Sequence, residues 1–543
     1  MKKIGVTVPS ITPGQQRLFE ALAEVFPVRF EQRYFQEEAD LDAWLAPAAD
    51  RDLVDRLPQT ARPCYAVLRP DQLLPEGGGP VIVFADSAFL PAALRARRIE
   101  SEEAGATKVL PSWLENGTTL ASKSGAPLWI LREPRKGGHH HVSLPLPELQ
   151  AGEPLFQYFH GRRFLALLPL FLFLRALTED PTWLRPPLQA CFMFDDPNLH
   201  WPTYGFIDYA EIARQAEKHR YHVSFATVPR DGWFLHEPTA AIFKRHADRL
   251  SLLIHGNDHT RDELAQPYPD RERRALIGEA LQRVGQLEKR SGIEISRVMA
   301  PPHGACSAAV LGEMARAGFE AACVSRGSLA FHNPGAPWLR SLGMGPSDHL
   351  NGLTVIPRFP FSARCHNSIL LAAVLGQPII PMGHHTGVAA GLDLLEELAD
   401  FIHSLGQVQW TDLRQICRSL YSRKYAGGQL HLKLHAGRVR VPVDEGTDRI
   451  YAERSWTEDR ENPDLAWRAA GAGPEWRWQR ADETIRVTPG QTVELVTDPA
   501  LLQTGTLEAR RKRRLWPFLR RSLAEARDRS APLRRRALGR ASD

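Results

Sequence analysis

Cysteine is scarce in this chain of 543 residues. Its six thiols, Cys64, Cys191, Cys306, Cys323, Cys365 and Cys417, lie scattered without CxxC spacing, which argues against a disulfide framework and suits a reducing compartment. The amino-terminal stretch MKKIGVTVPSITPGQQ has no apolar core and no small-residue cleavage site, so a secretory signal is not expected and the cytoplasm is the default location. Long hydrophobic runs are missing as well. The greasiest stretch, Phe164 to Leu177, contains Pro169 and Arg175 and falls short of the roughly 18 to 20 residues that span a bilayer, so it reads as a buried core helix. Net charge is small at +5, yet residues 509 to 543 hold thirteen Lys or Arg against three acids. The rest of the chain is therefore mildly acidic.

With 43% hydrophobic residues over this length, about two to four domains are expected. Residues 1 to 150 alternate strand-like and helix-like runs (KIGVTV, QQRLFEALAEVF, PVIVFAD, TTLASKSGAPLWIL), as in a small doubly wound α/β domain of flavodoxin-like or amidotransferase-like pattern. The TTLASKSGAP stretch resembles the strand end before an amidotransferase nucleophile, but no Cys stands there, so a binding or packing role is expected. His139 to His141 follow Lys136-Gly137-Gly138; adjacent histidines point to opposite sides of an extended chain, so this triplet reads as an exposed loop. Residues 151 to 186 read as a helical linker.

From 187 to 425 short apolar runs at 190–194, 222–227, 250–254, 295–300, 320–325, 353–356, 378–382 and 408–410 alternate with amphipathic helices. The clearest helices are Ala275 to Ser291, Ala308 to Ala317 and Leu392 to Leu405, each followed by Gly. Seven or eight such units imply an α/β fold with a (β/α) barrel, complete or incomplete, whose chemistry sits at the C-terminal ends of the strands. Residues 427 to 500 alternate with period two and read as a β-sandwich, and 505 to 543 as a basic tail.

Three polar clusters stand directly after strand candidates: FDDPN (194–198), HGNDH (255–259) and APPHG (300–304). A hydrolytic metal site needs about three N or O ligands, an open position and a nearby free carboxylate. Asp196, His255 and His259 supply the ligands. One helical turn would aim both imidazoles at a single ion, and Asp195, diverging from its neighbour, would be the general base. A turn or helix cap at the Asp pair and solvated helical histidines are the plain alternatives. Occurrence of both clusters in order, each after its own strand, favours the site.

These residues resemble the NodB-homology polysaccharide deacetylases. Phe194-Asp195-Asp196 is similar to the family's first motif, His255 and His259 to its second, Pro301-Pro302-His303-Gly304 to its third, and Met382-Gly383-His384 loosely to its late Leu-x-His motif, with His385 as a rival. The resemblance covers roughly 187 to 425. It implies a divergent, metal-dependent hydrolase, zinc being the expected ion, that removes acyl groups, N-acetyl above all, from a carbohydrate or glycan precursor. Asp195 would take a proton from water, backbone N–H groups near His303 and Gly304 would hold the oxyanion, and His384 would protonate the leaving group. The family's third motif carries an Arg that orients the catalytic Asp, whereas Ala300 stands there in this chain. Trp201, Tyr204 and Trp233 are candidates for a sugar-stacking wall, with ordinary packing as the alternative.

Two other functions compete: a silent binding or assembly protein that keeps the barrel, and a metal-dependent amidase or esterase on a non-carbohydrate substrate. In the tail, Trp516, Phe518 and Leu519 lie among arginines. This favours an anionic membrane surface over nucleic acid, with a solvated, disordered end as the plain alternative. Location would then be cytoplasmic, peripheral to the inner membrane face.

Overall fold

The computed structural model describes residues 1–7, 11–35, 40–75, 79–103, 108–111, 114, 117–132, 138–456, 464–471, 475–480, 483–497, 502 and 515–539. It divides into two compact units.

The first unit comprises 1–181 with 335–345 and 367–375. Nine strands form one sheet. Lys2–Thr7, Val28–Arg33, Ala43–Ala49, Cys64–Leu68 and His140–Ser143 pair in parallel, and the helix Pro13–Val25 crosses between the first two. The other half is antiparallel, so the sheet is mixed, unlike the mostly parallel sheet that a doubly wound domain requires. The physical reason lies in the turns. TTLASKSGAP is not a strand end before a helix but a hairpin between Gly117–Lys123 and Ala126–Arg132. Its turn residues Ser124 and Gly125 have φ of 50° and 88°, the geometry that matches strand twist in two-residue hairpins.

The exposed-loop reading of the histidine triplet is also corrected. His140 and His141 are buried in a strand while His139 is exposed; Lys136 and Gly137 lie outside the described residues. His141 accepts a hydrogen bond from the Trp129 indole N–H at 3.1 Å, and burial pushes the two imidazoles down to about 4 and about 3. The apolar run at 164–177 forms the helix Leu168–Thr178, buried through Leu174. Among the described residues no helix is long and apolar enough to cross a membrane.

The second unit comprises 182–334, 346–366 and 376–543. Parallel pairing runs from Pro381–Gly383 through Phe192–Asp195, Val223–Thr227, Leu250–Ile254, Ile295–Met299 and Ala321–Val324 to Leu353–Pro357. One residue later the chain forms Phe359–Pro360, which pairs back with Pro381–Gly383. The six strands from Phe192–Asp195 to Leu353–Pro357 are buried along most of their length, as parallel strands with helices on one face and side chains on the other must be. Helices Asp270–Ser291, Ala308–Arg316 and Asp393–His403 lie between strands. Gly292 ends the first of these in the left-handed region, φ 66°, where a side chain would be strained. Beyond them come two four-stranded sheets, Tyr421–Ala426 with Gln429–Leu434, Arg449–Arg454 and Ile485–Arg486, and Arg438–Pro442 with Thr492–Val496, Asp464–Ala469 and Arg477–Arg480. One apolar cluster joins Met193, Leu253, Val298 and Ile356 to Ile416, Leu430, Val441 and Leu495. The last element is the helix Leu515–Gly539.

Candidate active site

Asp195 ends its strand and Asp196 follows it, with φ 86° and its N–H donated to the Ala226 carbonyl at 3.1 Å. His255 is the first residue after Leu250–Ile254. His303 lies in the turn after Ile295–Met299. Three distant clusters thus meet at the C-terminal ends of strands of one parallel sheet. Asp196, His259 and His303, with φ of 86°, 53° and 56°, all hold left-handed backbone conformations; such strain persists only where surrounding contacts over-determine it.

Asp196, His255 and His259 each offer one ligand atom, all within 4.8 Å of one another. His259 Nε2 is 3.2 Å and His255 Nε2 4.0 Å from Asp196 Oδ1. His255 Nδ1 lies 2.8 Å from the Ala300 carbonyl. A carbonyl only accepts, so Nδ1 carries the proton and Nε2 turns its lone pair toward Asp196, the orientation in which metal-binding imidazoles are held by a partner on their other nitrogen. Burial, outweighing the nearby carboxylates, holds His255 below its ordinary value and His259 at about 3, so both are neutral near pH 7. The donor set therefore fits a divalent ion.

The two histidines do not share a helical turn, as their spacing suggested. Residues 255–260 form a non-helical loop in which Gly256 has φ 64°. Its conformation is set by Glu263, whose fully buried carboxylate accepts the N–H groups of Asn257, Asp258 and His259 at 2.7, 3.0 and 3.1 Å. A Cβ on residue 256 would meet Glu263 Oε1 at 2.1 Å, so only glycine lets this carboxylate reach the loop.

Asp195 is buried against Arg358, whose Nη1 donates to Oδ1 at 2.8 Å while Nη2 donates to the Pro301 carbonyl at 3.2 Å. Burial alone would raise the Asp195 carboxyl, but Arg358, His255 and His384 outweigh it and hold the group below the usual range. The guanidinium missing at Ala300 is thus supplied by the residue between Leu353–Pro357 and Phe359–Pro360. His384 is half-exposed, with Nε2 3.9 Å from Asp196 Oδ2. His385, by contrast, is buried, packs against Tyr204 and Phe206, and turns Nε2 toward Asp528 at 3.7 Å. The two do not form a buried pair.

The C-terminal helix lies across this constellation. Arg521 reaches down to Asp231 through Nε at 2.9 Å and Nη2 at 2.8 Å, and to Asp196 through Nη1 at 3.0 Å. Glu525 meets His200 Nδ1 at 3.0 Å, Arg529 donates to Asn198 at 2.8 Å, and Asp528 accepts the Tyr204 hydroxyl at 3.0 Å. Burial, the largest single influence, would raise the Asp196 carboxyl, but Arg521, His259, His255 and His384 together outweigh it and hold the group far below the carboxylate range. Beneath the helix remains a cavity of about 450 Å³, lined by Asp196, His259, His303 and His384 and roofed by Arg520 and Leu523.

No family model matches the chain, and no curated protein matches it. The chain is similar to solved carbohydrate deacetylases and esterases. Agd3, a carbohydrate deacetylase, shares 9% identity over 91% of this chain and 98% of its own, with a TM-score of 0.47. A family 4 carbohydrate esterase from Streptomyces lividans, solved with acetate, shares 10% over 41% and 88%, TM-score 0.24. A family 4 acetyl xylan esterase from Clostridium thermocellum, solved with a cobalt ion, shares 13% over 40% and 82%, TM-score 0.24.

Of the residues singled out in the sequence, Asp195, Asp196, His255, His259, His303 and His384 come together. Three assignments are corrected. The Gly304 N–H donates to the Pro301 carbonyl at 3.0 Å, so the turn itself consumes the donor expected to hold an oxyanion. Tyr204 is fully buried beneath Arg529 and bonded to Asp528, so it offers no stacking face. The tail is neither a wholly solvated end nor separate from the site, although residues 505–514 and 540–543 lie outside the described residues. Trp201 and Trp233 are exposed, at 54% and 59%; Trp233 packs edge-on against Phe518 of the helix. Four site residues escaped the sequence reading: Arg358, Glu263, Asp231 and Arg521. Arg358 did carry a signal, because it follows its strand as directly as Asp196 follows its own.

Proposed function

We propose that the protein is a metal-dependent hydrolase that removes acyl groups, N-acetyl above all, from a carbohydrate or glycan precursor, on a (β/α) barrel of seven or eight strands, complete or incomplete. The observation that carries this reading is the convergence of three ligand atoms with a separate, charge-held carboxylate: Asp196, His255 and His259 within 4.8 Å, and Asp195 paired with Arg358. A divalent ion held by those three residues would supply Lewis acidity to polarise the acyl carbonyl and acidify water. Asp195, ionised at neutral pH, takes the proton of the attacking water. Arg358 fixes the carboxylate so that one oxygen is committed to the guanidinium and the other remains for water. As the C–N or C–O bond breaks, His384, open to solvent on the Asp196 side, gives a proton to the departing amine or alcohol. The carbohydrate class rests on the motif resemblance. A cytoplasmic location is supported by six free, buried thiols.

A second reading, a silent binding or assembly protein, is favoured by one observation: Arg521 sits on Asp196. Elemental analysis of the purified chain beside His255→Ala, with acetate release from acetylated glucosamine oligomers and from xylan acetate, separates them. The hydrolase reading expects bound metal and acetate release, both lost in His255→Ala, and release alone lost in Asp195→Asn. A metal-free, inert parent chain would sink it.

A further inference from the structure

The C-terminal helix has its polarity inverted with respect to the protein. A surface helix normally buries its apolar stripe and shows its charges to water. Here the face turned to the protein is ionic: Arg521, Glu525 and Asp528 all point inward and all are engaged. At 100° per residue, Leu515, Leu519, Leu523 and Leu533 fall on one line on the opposite side, flanked by Trp516 and Phe518. That line faces solvent, with exposures of 79%, 53%, 68% and 65% for the four leucines and 68% for Trp516. Between them stand only Ser522, Ala526 and Ser530.

Charge on this face has one sign. Both acids of the helix turn inward, Asp528 also accepting from Arg527 at 2.9 Å, while the exposed Arg527 and Arg534 side chains border the apolar line. Arginines beside a stripe of leucine and tryptophan match a surface that offers both acyl chains and anionic headgroups. A protein partner would also cover the leucines, but the one-sided cationic border selects an anionic bilayer.

We propose that the outward face of the helix Leu515–Gly539 is a docking surface for an anionic lipid bilayer, used while the inward face stays bonded over the candidate site. The inference does not depend on the hydrolytic reading, since Leu515, Trp516, Leu519 and Leu533 lie away from the cavity, and Leu523, which also edges it, is 68% exposed. It gives the unpartnered leucines an occupant and places the site directly beneath the bilayer-facing element.

Cosedimentation of the full chain with phosphatidylcholine vesicles, and with vesicles that also contain phosphatidylglycerol, tests it. The parent should pellet with the anionic vesicles and be released by high salt. Leu515→Glu with Leu519→Glu should lower the partition constant about a hundredfold, and Arg534→Gln about fivefold on anionic vesicles only. Both variants should keep the parent's melting temperature, because the altered side chains are exposed. Failure of the parent to pellet, equal pelleting with neutral vesicles, or binding unchanged in the double variant would overturn the proposal. So would light scattering that shows a dimer dissociated by the same leucine substitutions, since a second copy would then be the occupant.

Discussion

Replacing Arg358 with Met removes a guanidinium while keeping an unbranched chain in its slot. Arg358 and Asp195 are each only 3% exposed and their charged atoms lie 2.8 Å apart, so solvent screens the pair little. Removing one partner of such a pair leaves a buried, unpaired charge, at a cost of about 3–5 kcal/mol. The assay is a double-mutant cycle by thermal and urea unfolding, with Arg358→Met, Asp195→Asn and both together. Arg358→Met alone should be strongly destabilising. In the Asp195→Asn background it should cost markedly less, since no carboxylate remains to strand, and the coupling should exceed about 1 kcal/mol. A functional consequence follows from the same electrostatics. Without Arg358, burial dominates and the Asp195 carboxyl titrates higher, so the acidic limb of a pH–rate profile moves to higher pH. In the parent, where the carboxyl is depressed, the pair's contribution is present above about pH 4 and lost as pH falls. Equal destabilisation by Arg358→Met in both backgrounds would refute the argument, because it would mean that the guanidinium acts through packing or through Pro301 alone.

Glu263→Gln keeps the shape but removes the charge that gathers three N–H groups under His259; metal affinity, measured by competition with a chromogenic chelator, should fall about 10- to 100-fold, and unchanged affinity would dismiss Glu263 as a positioning residue. Arg521→Ala should tighten binding of a divalent ion, read by the same competition, because the cation that shares Asp196 is gone; weaker binding would show that Arg521 instead stabilises the ligand set. Stability should fall as pH drops from about 6.5 toward 4, because His141, His349 and His435 are buried with values near 3 while the unfolded chain takes up protons, each contributing roughly 1.4 kcal/mol per pH unit; a melting temperature flat over that window would contradict the burial.

The strand–helix register of the second unit was legible because each strand is an apolar run closed by a polar cluster. The runs read at 250–254 and 408–410 are the observed strands Leu250–Ile254 and Val408–Trp410. The Asp pair and the two histidines were legible for the same reason. What stayed hidden depends on tertiary closeness without a local mark. Glu263 acts through backbone N–H groups, which no residue type announces. Arg521 lies 325 positions from Asp196, in a segment whose composition speaks of surface charge. The antiparallel half of the first sheet was concealed by Ser124-Gly125, a turn signal read as a strand end.

Charge balance explains why an arginine from the far end of the chain belongs at this site. Asp195, Asp196 and Asp231 bring three negative charges into a buried space where His255 and His259 are held neutral, and Arg358 cancels only the first. Left alone, Asp196 and Asp231 would repel each other in a poorly screened medium. Arg521 bridges them, and its bonds are uneven: Nε and Nη2 serve the Asp231 carboxylate, whereas only Nη1 serves that of Asp196. An ion taking Asp196 therefore needs Arg521 to give up one side-chain bond, with Asp231 still holding the guanidinium. Substrate makes a different demand. The cavity of about 450 Å³ beneath Arg520 and Leu523 is of the size that encloses a single small ligand, while a polymer must pass where the helix lies. On the hydrolase proposed above, metal uptake would be set by the Arg521 side chain and polymer access by the helix as a whole, so Arg521→Ala and removal of the segment from Leu515 should separate the two, the first altering ion affinity and the second the KM for oligomers.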